Sequence, residues 1–127
     1  MILVDTSIWI DFFRHDHPAL RQIMDEDRLY CHPVIIGELA LGSLRDRQSV
    51  LTFLTAQRQA RAASHEQVLA MIERHAIFSM GIGYSDAQLL ASMLLDTRLI
   101  LWTGDRRLRL AAAKTGLLLH EPERNAN

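Results

Sequence analysis

Short apolar runs alternate along this chain with stretches whose apolar residues recur at helical spacing. Residues 2–5 form an apolar run that ends in an acid, which predicts a buried strand, and residues 6–14 carry Ile8, Trp9 and Phe12 on one side of a predicted helix. The same patterns predict strands at 29–32, 99–102 and 117–119 and helices at 18–26, 33–41, 46–59, 64–75, 85–96 and 105–115. Such alternation is typical of an α/β protein with a short parallel sheet covered by helices on both faces.

Several helix ends carry their own signals. Pro18 stands where a first-turn proline is favoured, and Gly42 follows the third predicted helix as a stop. Ser64 and Gln67 have the spacing of a capping box, which predicts that a helix begins there. The predicted elements follow one another without a repeat or a linker, and 127 residues that are 49% hydrophobic are enough for one core. We therefore expect a single domain over residues 1–127.

Charge and cysteine content narrow the class of protein. The 14 Lys and Arg residues nearly balance the 15 Asp and Glu residues, so a net charge of −1 neither favours nor opposes a nucleic-acid partner. Cys31 is the single cysteine, which favours a reducing compartment. No apolar run approaches the ~20 residues that span a bilayer, and the first residues carry no secretory-signal pattern. We expect a cytoplasmic protein with no membrane partner.

Two aspartates stand at the carboxyl ends of predicted strands. Asp5 ends the first apolar run, and Asp105 follows Trp102 by three residues. Because ligands of open parallel sheets bind beyond the carboxyl ends of the strands, both carboxylates are expected at one edge of the sheet. Each aspartate could instead serve only as the N-cap of the helix that follows it, since aspartate is a favoured N-cap residue.

Glu38 lies in a predicted helix that is apolar almost all round. We therefore expect its carboxylate to be buried, and glutamate is rarely buried unless it is paired or binds a metal. The alternative to a metal is a buried ion pair with Arg45 or Arg47. Asp86 opens another apolar helix, where it could simply be a first-turn acid that favours the helix dipole behind a Ser85 cap.

Taken together, the four acids are stronger evidence for a cation site than any one of them alone. At an effective dielectric constant near 20, two carboxylates ~5 Å apart repel by ~3 kcal/mol, so four of them must be partly protonated or bind a cation. An all-oxygen ligand set favours Mg²⁺ or Mn²⁺ over zinc, and an ion held by carboxylates and open to water suits phosphoryl chemistry. The predicted metal ligands and catalytic residues are Asp5, Glu38, Asp86 and Asp105.

The acids lie in segments that resemble the PIN-domain nuclease family, specifically the VapC-type toxins of bacterial toxin–antitoxin pairs. The matching segments keep the family's order and approximate spacing: ILVDTSIWID (2–11), HPVIIGEL (32–39), GIGYSDAQLLA (81–91) and LWTGDRRL (101–108). The resemblance implies a PIN-like three-layer sandwich and a Mg²⁺- or Mn²⁺-dependent endoribonuclease with the four acids around the metal. It also implies a homodimer, an RNA substrate, and inhibition by a small antitoxin whose tail occupies the groove.

Two threonines beside the acids are candidates for binding substrate. Thr6 follows Asp5 directly, and Thr103 precedes Asp105 by two residues. Either hydroxyl could orient a metal-bound water or a substrate phosphate. The alternative for each threonine is that it caps the helix beside it.

Arg106 is a third candidate for substrate binding. It stands with Arg107 in the first turn of a predicted helix, where a cation is disfavoured by about 0.3–1 kcal/mol. An anionic partner such as RNA phosphate would account for these arginines, and ordinary surface solvation is the alternative. Gly104 departs from the family pattern, since related toxins often carry a larger basic residue between the threonine and the aspartate.

Three other functions compete with the nuclease. A phosphatase of the haloacid-dehalogenase type needs a second aspartate two positions after its nucleophile, but Ser7 stands there. A receiver-like signalling module needs a lysine after a late strand, whereas Lys114 lies deep in the last predicted helix. A degenerate PIN domain that binds only RNA or protein would not need all four acids.

Overall fold

The computed structural model describes residues 1–122, and these residues form seven helices and four strands. The elements in chain order are β1 (Ile2–Val4), α1 (Thr6–Arg14), α2 (Pro18–Asp25), β2 (Leu29–Cys31), α3 (Pro33–Ala40), α4 (Arg47–Ala56), β3 (Arg58–Gln59), α5 (His65–His75), α6 (Tyr84–Leu94), β4 (Ile100–Trp102) and α7 (Arg106–Lys114). Within this range no helix is long and apolar enough to cross a membrane. Every helix that the periodicity predicts is present.

The strands form one parallel sheet in the order β3-β2-β1-β4. The central strand β1 pairs with β2 through Ile2 and Leu3, and with β4 through all three of its residues. Each β1 side chain is 0% exposed, although successive side chains point to opposite faces of a sheet. Both faces of the sheet are therefore covered, as the uninterrupted apolar run predicts.

The order in which the chain adds strands to the sheet changes side at β1. From β1 the chain steps outward to β2 and β3, and it then returns to the other side of β1 as β4. Because parallel crossovers are almost always right-handed, this reversal places helices on both faces of the sheet. The predicted α/β three-layer sandwich is confirmed, and the crevice for ligands is expected at the carboxyl ends of β1 and β4.

Two element boundaries differ from the prediction. The helix predicted over 46–59 ends at Ala56, because Arg58 and Gln59 pair with β2 as the edge strand β3. Both β3 side chains are exposed, so the strand leaves no apolar signal in the sequence. The strand predicted at 117–119 is reduced to a single parallel bridge between Leu101 and Leu119.

Several helix starts follow the local rules. Ser64 and Gln67 form the predicted capping box at the start of α5. Pro18 and Pro33 occupy the first turns of α2 and α3, and in each case the preceding histidine accepts a backbone N–H through Nδ1. The histidine before Pro33, His32, is completely buried.

Candidate active site

Asp5 lies directly after β1 and is 5% exposed. It occupies the N-cap position of α1, but its side chain makes no capping hydrogen bond, so the capping interpretation of Asp5 is wrong. Its Oδ2 accepts hydrogen bonds from the Ser7 hydroxyl at 2.9 Å and the Thr103 hydroxyl at 2.7 Å. Its Oδ1 has no donor within residues 1–122. One carboxylate oxygen of a nearly buried aspartate is therefore left for a ligand.

The turn after β4 is tied to the turn after β1 by the same hydroxyls. Thr103 is 2% exposed, and it accepts the N–H of Asp105 at 3.0 Å while it donates to Asp5. The N–H of Gly104 donates to Ser7 Oγ at 3.0 Å, and the N–H of Asp5 donates to the backbone of β4. This arrangement holds the Asp5 carboxylate in one orientation. It also leaves the Thr103 hydroxyl engaged inside the protein.

Asp105 combines a structural task with an open oxygen. Its Oδ1 accepts the backbone N–H groups of Arg107 at 2.9 Å and Leu108 at 3.3 Å, so it caps α7 as one of the two interpretations predicts. The residue is exposed at the sheet edge beside Thr103. Capping uses only one of its two carboxylate oxygens.

Glu38 is exposed, and the prediction that it is buried is wrong. The helix α3 packs on the core through Ile35 and Leu39, while its other apolar residues lie partly or fully at the surface. A short helix with apolar residues on every side therefore need not be buried on every side. The Glu38 carboxylate accepts a hydrogen bond from the Thr6 hydroxyl at 3.1 Å, so Thr6 bonds to an acid of the cluster instead of capping α1.

The alternative interpretation of Glu38, an ion pair with Arg45 or Arg47, is also wrong. No salt bridge within residues 1–122 joins Glu38 to Arg45 or Arg47. Arg47 instead donates to the carbonyl of Ala40 at 2.9 Å, at the end of α3. No cation in this part of the chain neutralises the carboxylate, which leaves it available to a ligand.

Asp86 lies in the first turn of α6 and is half-buried. The helix begins at Tyr84 with Gly83 in the N-cap position, so Ser85 is not the cap. The sequence places Asp86 correctly as a first-turn acid. Its partial burial gives it an environment that a purely surface acid would not have.

The four carboxylates influence one another electrostatically. Burial, with further contributions from the negative charges of Asp5, Glu38 and Asp105, raises the pKa of Asp86 from 3.8 to about 6. Although Glu38 as a residue is exposed, partial burial of its carboxylate group raises the pKa, against an opposing Thr6 hydrogen bond and with a smaller contribution from the charge of Asp5. The structure thus brings acids from β1, α3, α6 and α7 to one edge of the sheet.

The carboxylates are near one another without forming a closed coordination shell. Within residues 1–122, no group of three His, Cys, Asp or Glu side chains has the spacing of a ready-made metal site. The donor set nevertheless fits a hard cation, because it consists of carboxylate oxygens and Asp5 Oδ1 has no other partner. A divalent cation would also relieve the repulsion from the other three acids, which adds to burial in raising the pKa of Asp86.

Arginines line one side of this region. Arg106 is exposed at the start of α7 and forms no ion pair within the part of the chain described. Arg107 packs over the turn at Gly81, where an added Cβ would lie 3.1 Å from its side chain. Arg109 donates to the carbonyl of Thr103 at 3.4 Å and pairs with Glu121. Arg106 is therefore the arginine of this helix that is most available to an anion.

Ser7 is the site residue that the sequence reasoning missed. It completes an Asp-Thr-Ser triplet in which only Asp5 and Thr6 were assigned a role. A hydroxyl two positions after an aspartate is well placed to bond back to its carboxylate, and that local signal could have identified it.

The match of this chain to a family model covers nearly all of the elements just described. The model of the PIN domain matches residues 2–114, which include all four acids. The chain belongs to the PIN domain family. Its membership confirms the family that the four sequence segments resemble.

Curated relatives of this PIN domain carry a nuclease name. Over 121 residues the chain is 41% identical to Ribonuclease VapC32 from two strains of Mycobacterium tuberculosis, CDC 1551/Oshkosh and H37Rv. The alignment covers 95% of this chain and 98% of each relative. This chain and Ribonuclease VapC32 thus correspond over nearly their whole length.

Solved structures resemble this PIN domain in fold. PAE2754 from Pyrobaculum aerophilum has a TM-score of 0.61 at 20% identity, covering 93% of this chain and 87% of that one. FitAcB from Neisseria gonorrhoeae has a TM-score of 0.59 at 18% identity, covering 96% and 98%. At these identities the likeness concerns the fold alone, and it agrees with the three-layer architecture.

Proposed function

We propose that this PIN domain is the toxin of a toxin–antitoxin pair, an endoribonuclease that hydrolyses RNA phosphodiester bonds with the help of Mg²⁺ or Mn²⁺. The 41% identity to Ribonuclease VapC32 over 95% of the chain supports the substrate and the biological role. The observation that carries the mechanism is the convergence of four acids at one sheet edge, where burial and then the charges of the other three acids raise the pKa of Asp86. Such an arrangement favours a bound cation over four free charges.

Each acid has a role that follows from its position. Asp5, Glu38, Asp86 and Asp105 are the proposed metal ligands. Asp5 is firmly oriented, because two hydroxyl groups donate to its Oδ2. The Thr6 hydroxyl orients Glu38 in the same way. These acids occupy the topological switch point between β1 and β4, where open α/β sheets bind their ligands.

The chemistry that a divalent ion supplies at such a site is activation of water, polarisation of the phosphate and shielding of negative charge on the leaving oxygen. The protein's own contribution is a rigid set of oxygen ligands and a nearby cation. Arg106 is exposed beside the acids and is the proposed contact for an RNA phosphate. Thr103 has its hydroxyl bonded to Asp5, so we assign it to orienting that carboxylate instead of contacting substrate directly.

An apolar surface near the site supports an antitoxin partner. A cavity of about 560 Å³ lies between α1 and the segment that follows α3, and it is lined by Phe13, Leu39, Arg14 and Arg45 among others. Leu41, in the adjoining segment, is 91% exposed. Apolar and acidic residues of a small antitoxin would complement this surface and cover it.

The α5–α6 face supports the proposed homodimer. Leu95 is 48% exposed there, and a cavity of about 430 Å³ between the two helices is lined by Leu95, Met71 and Leu94 among others. Contact with a second copy would bury this apolar area. We place the protein in the cytoplasm, where RNA is the abundant substrate and the free Cys31 thiol stays reduced.

The rival functions have less support. A receiver-like module does not agree with a PIN family match over residues 2–114. A degenerate PIN domain that only binds RNA would have no use for four mutually repelling acids, which cost stability unless a cation joins them.

The proposal is tested by incubating the purified protein with a mixed pool of structured and single-stranded RNA. We expect cleavage with Mg²⁺ or Mn²⁺ and none in excess chelator. Asp5→Asn keeps the shape and the hydroxyl bonds but removes the charge, so it should lower the cleavage rate at least about a hundredfold. Cleavage that persists in chelator would contradict the mechanism.

A matched variant separates loss of the metal site from loss of the fold. Asp11→Asn changes an exposed aspartate of α1 that lies outside the acid cluster, and it should cleave like the wild type. Expression of the wild type without an antitoxin should slow bacterial growth, and Asp5→Asn should restore it. Normal growth with an active nuclease would contradict the toxin assignment alone.

A further inference from the structure

A sealed group of polar side chains lies in the core behind the acids. His32 is 0% exposed, Ser92 is 1% exposed and Gln88 is 7% exposed. His32 stands at the start of α3, which carries Glu38, while the other two residues belong to α6, which carries Asp86. None of the three is a ligand in the proposed metal site.

The hydrogen bonds of His32 settle which of its nitrogens carries the proton. Its Nδ1 accepts the backbone N–H of Val34 at 3.0 Å, so that nitrogen is unprotonated. Its Nε2 therefore carries the hydrogen and donates it to the Ser92 hydroxyl at 2.8 Å. Burial lowers the pKa of His32 to about 4, so the ring is neutral near pH 7. A single imidazole thus caps α3 and bonds to α6 at the same time.

Ser92 and Gln88 extend the network to the segment before α5. The Ser92 hydroxyl lies 2.7 Å from Gln88 Oε1 and donates to it. The amide of Gln88 donates to the carbonyl of Ala63 and accepts its N–H, both at 2.8 Å. Each side-chain nitrogen and oxygen atom in the group has at least one hydrogen-bond partner. Such fully satisfied buried networks rigidify the elements that they join.

The network joins the two helices close to their acids. Gln88 follows Asp86 by two positions in α6, which is roughly 3 Å along a helix axis. Glu38 follows His32 by six positions, which is roughly 9 Å along α3. Glu38 and Asp86 lie on separate helices. The hydrogen bonds within each helix do not fix the position of one carboxylate relative to the other.

We infer that the hydrogen bond between His32 and Ser92 is a positioning device that holds α3 against α6 and thereby sets the separation of the Glu38 and Asp86 carboxylates. The inference rests on the proposed metal-dependent function. If the network served only stability, any two variants with the same loss of stability would show the same change in metal affinity. A positioning network makes Ser92 variants lose metal affinity beyond that common loss.

The test compares Ser92→Ala with Thr115→Val. Thr115 is 8% exposed at the end of α7, and its hydroxyl donates within that helix to Ala112 at 2.7 Å. Both variants remove one buried hydroxyl, but only Ser92 bridges two helices that carry acids. Mn²⁺ affinity is measured by titration calorimetry well below the melting temperature of both variants, and amide hydrogen exchange is measured on the metal-free proteins.

We expect Ser92→Ala to weaken Mn²⁺ binding about tenfold, as loss of a residue that orients ligands typically does, and Thr115→Val to change it less than about twofold. Hydrogen exchange should speed up in α3 and the first turn of α6 for Ser92→Ala, and only near the end of α7 for Thr115→Val. His32→Asn is a second variant, because asparagine still caps α3 but does not reach Ser92. It should weaken Mn²⁺ binding to a similar extent.

The outcomes separate the two proposals. Wild-type protein that binds Mn²⁺, with both network variants binding it equally well, overturns the positioning role and leaves the proposed function standing. Unchanged hydrogen exchange in α3 for both network variants also overturns the positioning role. Wild-type protein that binds no Mn²⁺ overturns the proposed function itself.

Discussion

Two polar regions of this PIN domain involve the same helices, α3 and α6, and are built on opposite principles. In the core, His32, Gln88 and Ser92 are buried and each has matched hydrogen-bond partners. At the sheet edge, four acids carry like charges, and burial together with neighbouring negative charge raises the pKa of Asp86 and of Glu38. The hydrogen bonds of the first region are satisfied within the protein, whereas the negative charges of the second are not neutralised.

The difference teaches where function resides in this fold. A buried polar group without a partner costs about 1–3 kcal/mol, so the core network has every reason to be satisfied. The acid cluster keeps an electrostatic cost that the chain alone does not relieve, and such violations concentrate at functional sites. Breaking the core network should therefore cost stability, while neutralising an acid should improve it.

The largest effect on stability is expected when the core network is broken. Gln88→Met keeps the size of the side chain but removes both hydrogen bonds to Ala63, so the free energy of unfolding should fall by about 2 kcal/mol. Urea denaturation measures the loss. Gln48→Met is the control, because Gln48 is exposed on α4 and should change stability by less than about 0.5 kcal/mol. If both variants lost the same free energy of unfolding, the core network would not have the special stabilising role assigned to it.

A smaller effect of opposite sign is expected at the acid cluster. The pKa of Asp86 rises from 3.8 to about 6 on folding, which nominally disfavours its charged form by about 3 kcal/mol. Because the group is only half-buried, solvent screening reduces this to about 1 kcal/mol. Asp86→Asn should therefore stabilise the metal-free protein by about 1 kcal/mol at pH 7, measured by urea denaturation in chelator.

The pH dependence of this effect follows from the direction of the shift. Below pH 3.8 the carboxyl of Asp86 is protonated in both the folded and the unfolded protein, so it makes no difference to stability. As the pH rises through about 6, the folded protein must ionise a group that prefers its proton, and stability is lost. The gain from Asp86→Asn should thus fade between pH 7 and pH 4. A metal-free variant less stable than the wild type at pH 7 would contradict the electrostatic account.

The smallest effect is expected where the site has room for another charge. A Cβ at Gly104 would meet Ser7 Oγ at 3.8 Å and a methyl of Ile8 at 3.9 Å, which are ordinary contacts. Gly104→Lys should tighten RNA binding about two- to fivefold, corresponding to about 0.4–1 kcal/mol for one exposed charge. Binding is measured in the Asp5→Asn background so that the RNA stays intact.

The control for this variant is neutral. Gly104→Gln adds a side chain of similar length without charge and should leave RNA affinity unchanged. The gain of the lysine variant should disappear in 1 M salt, where exposed charges are screened within about 3 Å. A gain that survives high salt would mean that the new side chain acts by contact instead of charge.

The local pattern of the chain was enough for most of the fold. The apolar run at residues 2–5 and the helical spacing after it predict β1 and α1, because both depend on neighbouring residues alone. The edge strand β3 escaped prediction, since the exposed pair Arg58 and Gln59 owes its strand conformation to pairing with β2. A backbone partner some 28 residues away leaves no trace in local periodicity.

The candidate site divides in the same way. Asp5 and Asp105 could be placed at one sheet edge from their positions after strands, and Asp86 from its position at a helix start. The exposure of Glu38 could not be predicted, because the helical spacing does not say how many faces of α3 the core covers. The hydroxyl of Ser7 was overlooked although its signal is local.

By itself, the sequence determined the helices, the strands β1, β2 and β4, the family and the chain positions of the four acids, since periodicity, helix caps and short motifs are properties of adjacent residues. Only the tertiary structure decided which oxygens of those acids are engaged and which are open. Thr103 reaches Asp5 across 98 positions, Thr6 reaches Glu38 across 32 and His32 reaches Ser92 across 60. Hydrogen bonds of such range form only after the sheet has brought distant segments together, and no local rule of the chain specifies them.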